Sequence, residues 1–228
     1  MVPEENVTPI RIKFTKTGSL MYISHLDLVR TMQRIMVRAG IDIRYTEGFN
    51  PQPKMVFTPP LSIGVESFCE FVDIKTNSPM ATDEIKKRLS ENFPDEMRVL
   101  AVYVPTTKLS DIAYTDYVIN IESPSIDENS ENKVRELFSH ECTVIKASKK
   151  GEREINVTDY IKSLDVKSSE GNMSADVILC ADSENYLNPE LFIKAVREKL
   201  GVLSGDVKNE YYSVMRKEML DKDLNVFA

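Results

Sequence analysis

The sequence predicts an α+β protein made of two tandem ferredoxin-like (β-α-β-β-α-β) units with antiparallel sheets. Three observations carry that expectation. Stretches with a hydrophobic period of two alternate with helical stretches in the order β-α-β, β-α-β, and beyond residues 105–112 the order nearly repeats. The 228 residues, 42% hydrophobic and 29% charged, are enough to bury a core in each of two small domains. Residues 1–108 and 109–228 are therefore read as an N-terminal and a C-terminal unit, alike in architecture without residue-level self-similarity.

Taken in order, residues 1–9 read as a loose tail. Residues 10–15 alternate Ile10, Ile12 and Phe14 with Arg, Lys and Thr, as in a half-buried strand, and 20–23 continue as strand after Gly18. Ser24 and Asp27, three residues apart, form an N-cap signature. Leu28, Val29, Met32, Ile35, Met36 and Ala39 then recur at helical spacing, and Gly40 closes the helix. A strand returns over 41–45, a loop with a short extended piece fills 46–60, and 67–75 alternates again. A second helix runs from Thr82 or Asp83 to about residue 92, with a strand at 97–104.

The second half opens with a strand over 113–121, rich in Tyr, Val and Ile. An acidic stretch at 122–130 leads into a helix that reaches about His140. Strands follow at 143–147 and 154–157 around a turn at 149–151, then a helical turn within 159–164. Strands at 165–167 and 174–180 flank a turn at 170–172, a helix covers 188–200, and 210–219 is the last strand.

Composition excludes several classes of function. No basic flank with an apolar run opens the chain, and no stretch approaches the length needed to cross a bilayer. Cys69, Cys142 and Cys180 are odd in number and widely spaced, which suits a reducing cytoplasm better than a disulfide scaffold. Two histidines and three scattered cysteines give no zinc or iron–sulfur spacing, and P-loop, dinucleotide and G-x-S-x-G motifs are absent from the sequence. No metal or cofactor is expected.

The charge distribution is more informative than its sum. Eight cations face three anions between residues 10 and 55, a balance of +5 in a chain of −7. Such a segment can attract phosphate locally, although a solvated charged face looks the same in sequence. On the first helix Asp27, Arg30, Arg34 and Arg38 fall along one edge, three or four residues apart. Guanidiniums stacked in this way can grip successive phosphates, with Arg44 and Lys54 close by in the chain.

The loop over 47–54 reads Glu-Gly-Phe-Asn-Pro-Gln-Pro-Lys. Pro51 and Pro53 stiffen it and bias Asn50 and Gln52 towards extended backbone. An unstacked base would find Phe49 for stacking and Asn50 and Gln52 for its edges. The alternative is a structural loop with Phe49 plugged into the core. His25, just after the N-cap with Tyr22 and Asp27 nearby, is the one candidate acid/base, against an ordinary structural histidine.

The segments SHLDLVRTMQRIMVRAGI (24–41) and YTEGFNPQPKMVFTPPLSIGVES (45–67), with the acidic strand that follows, resemble the radical-SAM-linked domain of unknown function, DUF2344. Members stand alone or are fused to the C-terminus of radical S-adenosylmethionine enzymes, often those with cobalamin-binding domains. The resemblance therefore implies a radical SAM enzyme as partner. The family loop is commonly GFNPHPK, and Gln52 occupies the histidine position here, so a required histidine at that position is not expected. A looser likeness, in fold and helix-plus-Gly-loop layout, is to tandem ferredoxin-like proteins that bind and process CRISPR RNA, some with a catalytic histidine near the first helix.

The expected function is a non-catalytic, cytoplasmic module that binds structured RNA, tRNA or rRNA, and presents it to a separate radical SAM enzyme. Arg30, Arg34, Arg38, Arg44 and Lys54 would hold phosphates, and Phe49, Asn50 and Gln52 would contact bases, with a strong salt dependence. The alternatives are a metal-independent ribonuclease using His25 and a protein-interaction adaptor docking a radical SAM partner.

Overall fold

The chain divides into two units in the computed structural model, Met1–Leu109 with Ala228 and Ser110–Phe227. The structure describes residues 9–148, 151–203, 205 and 208–228. Residues 1–8 of the expected tail, and Lys149 and Lys150 of the expected turn, lie outside them. The fold is mixed α+β with few helices and mostly antiparallel sheet, as the sequence predicts.

In the first unit the elements are β1 (Ile10–Lys16), α1 (His25–Arg38), β2 (Met55–Phe57), β3 (Val65–Ile74), α2 (Thr82–Ser90) and β4 (Val99–Tyr103). The strands lie in the order β4-β1-β3-β2, and β1–β3, β1–β4 and β2–β3 are antiparallel. Alternation along β1 turns Ile10, Ile12 and Phe14 to one face. There they join Val72 and Ile74 of β3, Leu28, Met32, Ile35 and Met36 of α1, and Ile85 and Leu89 of α2 in one core.

Two expected strands take other forms. Residues 18–22 make a 3-10 turn, because Gly18 sits at φ +59° and two carboxylates draw in its N–H groups. Gly18 N donates to Glu66 Oε1 (2.7 Å), and Ser19 N and Oγ donate to Glu96 (2.9 and 2.6 Å). Residues 41–45 form only isolated bridges, Ile43 with Thr76 and Tyr45 with Pro53, since the proline opposite offers no N–H to extend a ladder.

Arg11 on β1 is fully buried. Its Nε and Nη2 donate to the Asp73 carboxylate (2.7 and 2.9 Å), and Nη1 and Nη2 donate to Oγ1 and the carbonyl of Thr107 (2.8 and 3.0 Å). The bidentate pair with Asp73 neutralises the buried charge, and the bonds to Thr107 tie the segment after β4 to the sheet.

The second unit contains β5 (Tyr114–Glu122), α3 (Ser130–Leu137), β6 (Thr143–Ser148), β7 (Gly151–Asn156), β8 (Ile161–Ser169), β9 (Asn172–Cys180), α4 (Pro189–Leu200) and β10 (Tyr211–Leu220). Its sheet runs β10-β5-β9-β8, while β6 and β7 form a separate two-stranded hairpin. Phe138 stacks on Phe192 of α4 at 4.7 Å between centroids, both rings buried. Asn188 caps α4 by accepting from Glu190 N (3.0 Å), Pro189 fills its first turn, and Gly201 ends it at φ +71°. The helical turn expected within 159–164 is the 3-10 turn Val157–Tyr160, and β8 begins directly after it.

Candidate nucleic-acid interface

The N-terminus of α1 is fixed by a reciprocal cap. Ser24 Oγ accepts from Asp27 N (3.2 Å) and donates to Asp27 Oδ2 (2.6 Å). That hydroxyl, followed by the charge of Arg30, holds the Asp27 carboxyl below the usual carboxylate range. Ser24→Ala should cost about 1 kcal/mol of stability in a denaturant melt, the usual loss for such a cap. A depressed folded-state pKa contributes stability above the unfolded carboxylate range and loses it as pH falls through the folded value. Part of the Ser24→Ala deficit should therefore vanish when the melt is repeated in acid.

The four candidate arginines fare differently. Arg30 pairs with Asp27 at 3.4 Å in solvent. Arg34 is exposed and bonds to no described residue. Arg38 donates to the carbonyl of Asn92 just past α2 (2.8 Å), while Arg88 of α2 reaches the carbonyls of Ala39 and Gly40 just past α1 (3.5 and 3.4 Å). Each helix end thus receives a guanidinium from the other helix, which satisfies terminal carbonyls and complements the dipole. Arg44 is only 8% exposed, so it does not stand on the surface where phosphate binding requires it.

Gly40, at φ +63°, releases the chain from α1 into the loop. Lys54 N donates to the Arg44 carbonyl (2.7 Å), and Thr46 N donates to the Gln52 carbonyl (2.8 Å). Gln52 N returns a bond to Thr46 Oγ1 (2.9 Å). These bonds zip residues 44–46 against 52–54 and leave 47–51 as an exposed tip. Gly48 takes φ +131° there, a conformation side chains disfavour.

Phe49 projects from the tip with a relative exposure of 113%. It is not a core plug. Asn50 and Gln52 are also exposed, and Lys54 is half-buried. Tyr45, on the stem of the same loop, is 50% exposed and forms a second aromatic surface. Its place in an expected strand hides it in sequence; the signal available is an aromatic four residues before Phe49 in a Gly/Pro-rich loop.

His25 is half-buried and meets Phe57 edge to face, with ring centroids 5.6 Å apart. Tyr22 nearby is exposed. Among the described residues no cluster of three or more His, Cys, Asp or Glu side chains could hold a metal ion. No helix of the described residues is long and apolar enough to cross a membrane.

The family described as "Uncharacterized protein conserved in bacteria (DUF2344)" matches residues 9–189, most of the chain. The chain belongs to the DUF2344 family. Both α1 and the Phe49 loop lie within the matched DUF2344 span. No curated protein matches the chain.

Among solved structures, the DUF2344 chain is similar to one in "Structure of H/ACA RNP bound to a substrate RNA containing 2'-deoxyuridine", with TM-score 0.47 and 12% identity. A chain of "Crystal Structure of a Cbf5-Nop10-Gar1 Complex" gives the same values. In both cases 92% of this chain spans about half of the other, 47% and 48%. An unknown protein from Galdieria sulphuraria aligns over 92% of this chain and 99% of its own, with TM-score 0.28 and 8% identity. Likenesses this distant assign no role.

Proposed function

We propose that this DUF2344 protein is a non-catalytic RNA-binding module, directed at tRNA or rRNA, that presents its substrate to a separate radical SAM enzyme in the cytoplasm. The observation that carries the RNA reading is Phe49, wholly exposed on a pinned loop beside the exposed amides of Asn50 and Gln52. An exposed aromatic contributes nothing to the core and leaves its face open for a base to stack on. The radical SAM partner enters through the family context alone. Both units are read as ferredoxin-like, supported by the matching orders β4-β1-β3-β2 and β10-β5-β9-β8, with the β6–β7 hairpin inserted in the second.

A second reading, the protein-interaction adaptor, is favoured by Leu26 and Val37, exposed at 56% and 71% about three turns apart on α1. Arginine beside exposed aliphatic groups suits a protein interface as well as a phosphate. The ribonuclease reading draws less support, since His25 lies against Phe57.

Purifying the protein from its own cells at low salt and sequencing the accompanying nucleic acid tests the proposal. An enriched tRNA or rRNA segment is the expected result. Recovery of a radical SAM protein with no enriched RNA would replace it with the adaptor reading.

A further inference from the structure

Resting on the RNA reading, we infer that the ligand of the 47–51 tip is an unpaired base in a single-stranded RNA segment, held mainly by stacking on Phe49. Duplex backbone is not its target. Of the eight cations between residues 10 and 55, Arg11, Lys16 and Arg44 are buried, Lys13 and Lys54 are half-buried with Lys13 over the Phe71 ring, Arg30 is paired and Arg38 is committed to a helix end. Arg34 alone among the candidate arginines is both exposed and without a bond to a described residue. The tip adds no cation and carries the exposed carboxylate of Glu47.

A duplex-binding surface needs a row of phosphate contacts, and this one lacks it. What the tip does present is a π-face in solvent with two amides at its side. Bases inside a helix are stacked on both faces and offer none to Phe49. Loops, bulges and ends do. Tyr45, half exposed on the stem, offers a second ring on which a neighbouring base could stack. The consequence reverses the strong salt dependence that cation counting suggests. With one or two phosphates neutralised, the slope of log K on log salt should be roughly −0.7 to −1.4, the single-strand value.

The experiment is fluorescence anisotropy of the full chain with a labelled RNA hairpin bearing an unpaired loop, and with the blunt duplex of its stem. Each is titrated between about 50 and 200 mM salt, the range over which phosphate-driven binding collapses. The hairpin should bind more tightly than the duplex with the shallow slope. Phe49→Ala should lower hairpin affinity about 5- to 150-fold, the loss of one base–aromatic stack, and leave duplex affinity unchanged. Phe49→Trp should restore it. Because Phe49 touches solvent alone, the thermal melt should not move. Equal binding of hairpin and duplex, or full affinity in Phe49→Ala, would overturn this inference and leave the RNA reading standing. Binding to neither RNA would overturn both, and loss of a captured protein in Phe49→Ala would assign the tip to a protein partner.

Discussion

Replacing Arg11 with methionine is expected to destabilise the first unit by about 3–5 kcal/mol, the range for removing one partner of a buried ion pair. Arg11 is 0% exposed and gives two bonds to Asp73, whose side chain is 18% exposed. The variant strands a mostly buried carboxylate and releases Thr107. Denaturant titration followed by circular dichroism reads the loss. Removing both charges, Arg11→Met with Asp73→Leu, should recover most of it, because well-packed apolar replacements of a whole pair are often neutral. A double variant as unstable as the single one would place the role of Arg11 in its bonds to Thr107.

The second large effect is on RNA. Arg34→Glu with Arg38→Glu should lower affinity at least about tenfold, the low end for hydrogen bonds to charged groups. The single variants separate two roles. Arg34→Glu should act on binding alone, since Arg34 holds no described residue in place. Arg38→Glu also breaks the bond to Asn92 and sets a carboxylate at the negative end of two helices, so its melting temperature should fall as well. Unchanged affinity in the double variant would remove phosphate contacts from α1.

Helix α1 is legible almost to the residue, because its signals are local: Ser24 and Asp27 at the cap, apolar positions at helical spacing, and Gly40 at the exit. Most strands are legible from their period of two, including β5 and β9, whose ends shift by only a few residues. The turn at 18–22 is not. Its shape depends on Glu66 and Glu96, which are 48 and 77 positions away from the groups they bond. Likewise 41–45 has strand composition, but its neighbours are Pro53 across the loop and Lys75 and Thr76 just past β3.

The candidate site divides in the same way. That residues 47–54 form a stiff, special loop follows from Gly48, Pro51 and Pro53 alone. Whether Phe49 fills the core or faces solvent is a tertiary matter, decided by the pairing of Thr46 with Gln52 that lifts the tip clear. Local backbone preference and hydrophobic period act between neighbours along the chain, so the sequence by itself determines the α+β pattern, the capped helix and the loop. The availability of a charge depends on partners brought from afar. Asp73 and Thr107, 62 and 96 residues from Arg11, withdraw it from solvent, and only the fold assembles such contacts.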